Sequence, residues 1–443
     1  MEVNSISFIG LGKLGLPLAA NFAKNGISVV AADKNESLVE QLNSGKVPFF
    51  EPGLAEHMSL AKGNIKYQTS QEGFETTDYT VILVNTPNDP VHGPFSNVQV
   101  FSAINDICDT LKKHNKESHN FILSSTVMPG TIRNEIIPMI EDSMGWTLNQ
   151  EFKFAYVPDF VALGTVIRDF ETPNLMLIGQ SDDEVGRTVE DLYRRTLKND
   201  LQINRMNLLE GELSKIAFNT FIISKLSYVN FLGNVCDAFG GANVDTITST
   251  IGMDKRISAN PPLFFKAGLS FGGACFPRDV WAFQEMCRKL ELDPKHILAA
   301  EQINDEQDNR MIELIKSTGK KKIGFFGVAF KPKTPITMYS VAEKITERML
   351  VSGFEIHCHD FVGEALDIFR DTFDSTVSYY TDMQECLDSC EVAVIMTPCQ
   401  EYKELGNIRD NQIVIDGWRL IEDDFDGLIQ PGNLKCEYEN IEN

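Results

Sequence analysis

Short, almost uninterrupted apolar runs punctuate the N-terminal half of the chain at Ser5–Ile9, Ser28–Ala32, Thr80–Asn85, Phe121–Ser124, Phe154–Val157 and Leu175–Gly179. Strands apolar on both sides, with helical periods between them, indicate a parallel sheet covered on both faces. Around Leu208 the pattern changes. Leu209, Leu213, Ile216, Ala217, Phe221, Ser224, Leu226, Tyr228, Phe231 and Val235 recur at roughly three- and four-residue spacing. That spacing predicts one long helix from Glu210 to about Phe239, ended by Gly240 and Gly241. From Lys320 the alternation returns, with strands expected at Ile323–Gly327, Glu355–Cys358, Val392–Met396 and Ile413–Asp416 and a helix over Val341–Leu350. The expected architecture is α/β: two doubly wound domains joined by a central helical domain, at 1–205, 206–310 and 311–443.

Composition narrows the class. The chain has 443 residues, 43% hydrophobic and 23% charged, which excludes a disordered or low-complexity protein. Lys and Arg number 40 against 63 Asp and Glu, a net charge of −23. Such a surface repels nucleic acid and anionic membranes, so neither is an expected partner. No run approaches the ~18 uncharged apolar residues of a membrane span. The N-terminus lacks the basic start and apolar stretch of a secretory signal. Nine cysteines without a CxxC pair point to a reducing compartment, and the expected location is cytoplasmic.

Gly10-Leu11-Gly12-Lys13-Leu14-Gly15 follows the first strand directly and opens a helix. Glycines there permit a tight turn, close backbone approach to a pyrophosphate and close packing of helix on strand. Asp33 stands 18 residues after Gly15, at the end of the second strand, where a carboxylate accepts hydrogen bonds from a ribose and repels a 2′-phosphate. With that context the motif reads as a Rossmann-like NAD site; a glycine-bearing turn without a ligand is the alternative. Thr86-Pro87 and the loop Ser124–Thr131, which contains Thr126, follow two other strands, at the carboxyl ends where open sheets place ligands. The same residue types also populate ordinary turns.

Phe271-Gly272-Gly273-Ala274-Cys275-Phe276-Pro277-Arg278-Asp279 carries the most chemistry. The glycines allow close approach, and a helix beginning near Pro277 puts Cys275 at its N-terminus, where a thiolate is favoured. Asp279, four residues on, could accept a proton. A buried, inert cysteine is the competing reading. Lys215 and Asn219 lie four residues apart on one face of the long helix, lining either a site or its solvated side. His357 and His359 alternate along a strand without a further ligand set, so no metal site is expected.

In order and spacing these segments resemble the UDP-glucose/GDP-mannose dehydrogenase family over almost the whole chain. The resemblance is carried by Gly10–Gly15 with Asp33, Glu51-Pro52-Gly53-Leu54, Thr86-Pro87, Ser125-Thr126-Val127, Pro158-Asp159-Phe160 and Glu212–Asn219. Gly252–Ile257 with Arg256, Gly272–Asp279, Asn304–Gln307 and Gly327–Pro332 complete it. It implies an NAD-binding domain, a central dimerisation domain and a nucleotide-sugar (UDP) binding domain. It further implies four-electron oxidation of a sugar 6-hydroxymethyl group to a carboxylate by two NAD, through a thiohemiacetal and a thioester on Cys275. In that scheme Lys215 and Asn219 stabilise an oxyanion, and Asp279, Thr126 and Asp159 orient water or relay protons. Lys13, Leu14, Thr86, Pro87 and Thr126 join the glycines and Asp33 around NAD. Phe160, Lys215, Asn219, Phe271, Gly272, Gly273, Phe330 and Lys331 contact substrate, and Arg256 reaches the neighbouring subunit of a homodimer. UDP-glucose is the first candidate substrate, with GDP-mannose, a UDP-N-acetylhexosamine or a catalytically impaired binding protein as alternatives. The chain departs from the family at Asp159, where Glu is usual, at Leu163-Gly164, where an acid often follows, at Met338 for an arginine, and at Leu177.

Overall fold

A computed structural model describes residues 3–89, 91, 93–257 and 264–434. The chain divides into two compact units, 1–217 and 218–443. The first holds an eight-stranded sheet in the order β3-β2-β1-β4-β5-β6-β7-β8. Its strands are β1 Ser5–Ile9, β2 Ser28–Ala32, β3 Ile65–Gln68, β4 Tyr79–Ile82, β5 His119–Leu123, β6 Phe152–Tyr156, β7 Met176–Gln180 and β8 Ile203–Asn207. The second holds a six-stranded sheet in the order β11-β10-β9-β12-β13-β14. These are β9 Lys322–Phe326, β10 Glu355–His359, β11 Ser378–Tyr380, β12 Val392–Ile395, β13 Ile413–Ile415 and β14 Leu428–Ile429. Counted from its own first strand, the second sheet runs 3-2-1-4-5-6 and the first runs the same way before adding 7 and 8, the doubly wound order that opens a ligand crevice where the winding reverses.

Side chains alternate along the first sheet and feed two apolar layers. Phe8, Val81 and Ile122 enter one, whereas Ile9, Ile82, Phe121 and Leu123 enter the other. The second sheet is likewise parallel throughout and buries Phe325, Ile356, Val394 and Ile415 in one layer and Phe326, Ala393, Ile395 and Val414 in another. One expectation is corrected: β7 runs antiparallel to β6, with Ala155 opposite Gln180, although it is parallel to β8. An apolar strand buried on both faces reads the same in either direction, so the hydrophobic pattern carries no information on polarity.

The long helix spans Leu208–Phe239, and Gly240 and Gly241 end it with φ of 69° and 68°, in the left-handed region. The division between the units falls inside this helix, at Ala217–Phe218. Within the second unit, helices Phe276–Lys289, Lys295–Ser317 and Val341–Val351 precede or follow β9. No helix among the described residues is long and apolar enough to cross a membrane.

Candidate active site

The glycine-rich turn leads from β1 into the helix Gly15–Lys24. Gly10 has φ 95°, and a Cβ there would lie 2.1 Å from the Leu83 carbonyl oxygen beyond β4. A Cβ on Gly15 would lie 1.9 Å from the Gly10 oxygen, so helix and turn meet only because both lack side chains. Around Gly12, by contrast, nothing lies within 4 Å of that position, and Gly12 and Lys13 are exposed. The turn is closed on its inner side and open at the crevice, as backbone approach by a pyrophosphate requires. No side chain caps the helix. Leu16 N–H already bonds the Gly12 carbonyl at 3.1 Å and Pro17 has no N–H, so Gly15 is the residue of the first turn whose N–H is placed to face an anion. Asp33 Oδ2 accepts the Leu11 N–H at 2.8 Å and Oδ1 the Asn35 N–H at 2.9 Å, fixing the carboxylate at the lip of the turn with lone pairs to spare. These residues fit NAD.

The two loops opposite are pinned to one another. Ser125 Oγ donates to the Val84 carbonyl and accepts its N–H at 2.7 and 2.9 Å, while Thr86 donates to the Thr126 carbonyl at 2.8 Å. Thr126 is half-buried and Pro87 exposed. A residue that sequence reasoning assigned no role holds this loop from below: buried Glu212 accepts the N–H groups of Gly130 and Ile132 at 2.7 and 3.0 Å. Burial pushes its pKa up to about 7. Glu51 works similarly, accepting Gly164 and Val166 N–H groups at 2.8 and 2.7 Å. Glu51, after Phe49 and Phe50, interrupts an apolar run, whereas Glu212 has Glu210 two residues before it and carries no such signal.

Lys215 is also in the first unit. Its Nζ donates to the Asp159 backbone carbonyl and lies 4.7 Å over the Phe160 ring. Asp159 faces a cavity of about 40 Å³ lined by Leu18, Val157, Phe170, Met176 and Tyr193 among others. Its Oδ2 is buried without a hydrogen-bond partner among the described residues, and burial raises the carboxyl to about 7 against the pull of Lys215. Such a group exchanges a proton near neutrality.

In the second unit Cys275 is the N-cap of the Phe276–Lys289 helix, with Pro277 in its first turn. Cys275 is exposed; Cys108, Cys236, Cys287, Cys358, Cys386, Cys390 and Cys399 are buried, and Cys436 lies outside the described residues. Burial pushes the thiols of Cys390 and Cys399 up to about 11 and 12, which keeps them unreactive. Asp279, buried and one turn beyond Cys275, accepts a hydrogen bond from Asn219 Nδ2. Its N–H bonds the Cys275 carbonyl at 2.9 Å, and Arg278 Nε lies 3.8 Å from its second oxygen. The structure thus groups Asn219, Asp279 and Cys275 in one unit and Lys215, Asp159 and Phe160 in the other.

On their Cβ sides the glycines after Phe271 face protein rather than open space. A Cβ on Gly272 would lie 1.8 Å from the Tyr339 carbonyl oxygen, and one on Gly273 2.6 Å from the Phe330 ring. Lys331 Nζ lies 5.6 Å over that ring. Arg256 is exposed and paired with Asp254 at 2.7 Å. His357 and His359 share hydrogen bonds with the Tyr380 and Tyr402 hydroxyls, both at 3.0 Å, and burial lowers His359 to about 4. No group of three metal-ligating side chains occurs among the described residues.

A sheet whose first six strands run 3-2-1-4-5-6, with an open glycine turn and an acid closing its second strand, defines a dinucleotide-binding protein. Sequence profiles of one family match three segments: 4–197, described as the NAD binding domain of the UDP-glucose/GDP-mannose dehydrogenase family, 210–306, its central domain, and 324–423, its UDP binding domain. UDP-glucose 6-dehydrogenase AglM of Haloferax volcanii is 31% identical, covering 94% of this chain and 97% of that protein. A GDP-mannose 6-dehydrogenase of Pseudomonas syringae is 26% identical, over 91% and 93%. The solved structure of a UDP-glucose dehydrogenase from Pyrobaculum islandicum superposes with a TM-score of 0.86 at 30% identity, covering 95% of each chain. The chain belongs to the UDP-glucose/GDP-mannose dehydrogenase family, and its cofactor is NAD.

Proposed function

We propose that the protein oxidises a nucleotide sugar at C6 to the uronic acid, with UDP-glucose as the favoured substrate. The observation that carries this reading is Cys275, an exposed thiol at a helix N-terminus one turn from the buried Asn219–Asp279 pair. NAD, held by Gly10–Gly15, Asp33, Thr86, Pro87 and Thr126, supplies the hydride acceptor for each of two oxidations. The Cys275 thiolate adds to the C6 aldehyde carbon and holds it as a thiohemiacetal. Oxidation of that adduct gives a thioester; water then cleaves the C–S bond, releasing the carboxylate and the thiol. Lys215 by charge and Asn219 by hydrogen bond stabilise the oxyanion, worth roughly 10²–10³ in rate for one such donor. Asp279 and Asp159, with Thr126, take up and return protons; the raised pKa of Asp159 suits it to that work.

Phe160, Phe271, Gly272, Gly273, Phe330 and Lys331 are the proposed sugar-nucleotide contacts, with 1–205, 206–310 and 311–443 as cofactor, dimerisation and nucleotide-sugar domains. Phe221, Tyr228, Phe231 and Phe239 are exposed along the long helix, which supports self-association through it and a place for Arg256 in the partner's site. The 26% identity to a GDP-mannose 6-dehydrogenase supports that sugar as the second candidate.

The test is the number of NADH released per sugar nucleotide consumed, across UDP-glucose, GDP-mannose and the common UDP-N-acetylhexosamines. Two NADH with one donor would establish the four-electron reaction and its substrate together. One NADH would remove the thioester scheme. No turnover with any donor, with NAD still bound, would favour a nucleotide-sugar binding role.

A further inference from the structure

The loop that carries Cys275 is held by residues without a role in the reading above. Lys344, on the helix Val341–Val351, places Nζ 2.8 Å from Asp308 Oδ2 and 2.6 Å from Ser270 Oγ, with the Phe271 carbonyl at 3.4 Å. Ser270 donates to the other oxygen of Asp308. Asn304 grips the next residue by its backbone, accepting the Phe271 N–H at 2.7 Å and donating to the Phe271 oxygen at 3.2 Å. Ser270, Asn304 and Asp308 are all buried.

The same loop touches the segment after β9 at both ends. Gly273 abuts the Phe330 ring and Gly272 the Tyr339 carbonyl, while Ser340 caps the helix that bears Lys344. Tyr339 itself is held at φ 54°, a conformation that costs a bulky residue energy and persists only where its neighbours enforce it. Residues 328–340 leave β9 at its carboxyl end, where an open sheet takes its ligand, in the segment matching the UDP binding domain. The nucleotide-side loop and the cysteine loop are therefore packed on one another without slack.

We propose that Lys344 is a positioning residue: through Asp308, Ser270 and the Phe271 carbonyl it latches the Cys275 loop to the nucleotide-side loop. Occupancy of that loop by a nucleoside diphosphate then sets how Cys275 presents its sulfur. The proposal rests on Cys275 being the nucleophile. A partly desolvated ammonium facing a buried carboxylate cannot be removed alone without stranding the charge, so the informative variant removes both: Lys344→Met with Asp308→Asn.

Iodoacetamide labelling of Cys275, followed by peptide mass with and without uridine diphosphate, reads the coupling. In the unmodified enzyme and in Lys344→Arg, which keeps the charge, the diphosphate should change the labelling rate several-fold. In the double variant that response should disappear. Its kcat for acid formation should fall roughly ten- to a hundredfold, the scale of a small misplacement of a reacting group, with KM for NAD unchanged. Ser270→Ala, which alters no charge, should give a smaller loss in the same direction and serves if the double variant does not fold. An unmodified enzyme whose labelling ignores the diphosphate, or variants that keep both the response and kcat, would overturn the latch. If complete labelling of Cys275 left turnover intact, the nucleophile reading would fail instead, whatever the variants did.

Discussion

Glu212 accepts the backbone N–H of Gly130 at 2.7 Å, and with its second oxygen that of Ile132, so a helix side chain fixes the loop that presents Thr126. Replacing it with alanine leaves two N–H groups buried and unmatched. At about 1–3 kcal/mol for each unmet group, the Glu212→Ala variant should lose roughly 2–6 kcal/mol in urea unfolding and bind NAD more weakly. Glu212→Gln keeps one acceptor oxygen and should lose less.

The pH dependence of stability has a defined sign. Glu212 and Asp159 both rise to about 7 on burial, so between the ordinary carboxylate range and neutrality the folded protein binds more protons than the unfolded one. Their contribution is fully present below that window and is lost as pH rises through it. A Glu212→Gln/Asp159→Asn variant should show a flatter urea midpoint between about pH 5 and 7 than the parent, whose midpoint declines.

Asp33 is the expected discriminator between NAD and NADP. Asp33→Ala removes a charged acceptor from the ribose side and strands the Leu11 N–H that it holds. At about 1.5–3 kcal/mol for a hydrogen bond to a charged group, NAD affinity by titration calorimetry should fall at least tenfold. The discrimination against NADP should shrink with it.

The central strands of both sheets were legible in the sequence, and the strands missed share one property. β3 and β8 bound the first sheet, β11 and β14 the second. Edge strands cover little core and carry polar residues, as in Ile203–Asn207 with Asn204, Arg205 and Asn207, so no apolar run marks them. The glycine turn and Asp33 were legible because a phosphate-approaching backbone leaves a fixed spacing. The tight seat of Gly272 against Tyr339 was not: which neighbour stands on the Cβ side of a glycine leaves no mark in a sequence. Glu51 and Glu212 escaped because their partners are backbone N–H groups, which every residue offers.

Cys275→Ala should still permit the first oxidation and yield no acid. Mass analysis of the product and an NADH count reduced from two to one would show this. Full conversion to the acid by that variant would remove the covalent scheme.

Gly15→Ala places a Cβ 1.9 Å from the Gly10 oxygen, backbone that cannot swing aside. Overpacking of this kind costs about 1–3 kcal/mol, and the displaced helix start should abolish NAD binding, checked by thermal melting with and without NAD.

The second sheet repeats the first turn almost bond for bond. Gly327 N–H meets the His359 carbonyl at 2.8 Å and Val328 N–H meets Asp360 at 2.8 Å, as Gly10 meets Ala32 at 2.9 Å and Leu11 meets Asp33 at 2.8 Å. Where the first turn continues with Gly12 and Gly15, the second continues with Ala329 and Pro332. Proline has no N–H to offer a phosphate, and Ala329 donates its own to Asp360. The second copy of the turn therefore offers fewer backbone N–H groups to an anion than the first. An engineer wishing to exchange cofactors need redesign only the first copy, since the second cannot be recruited without rebuilding the backbone itself.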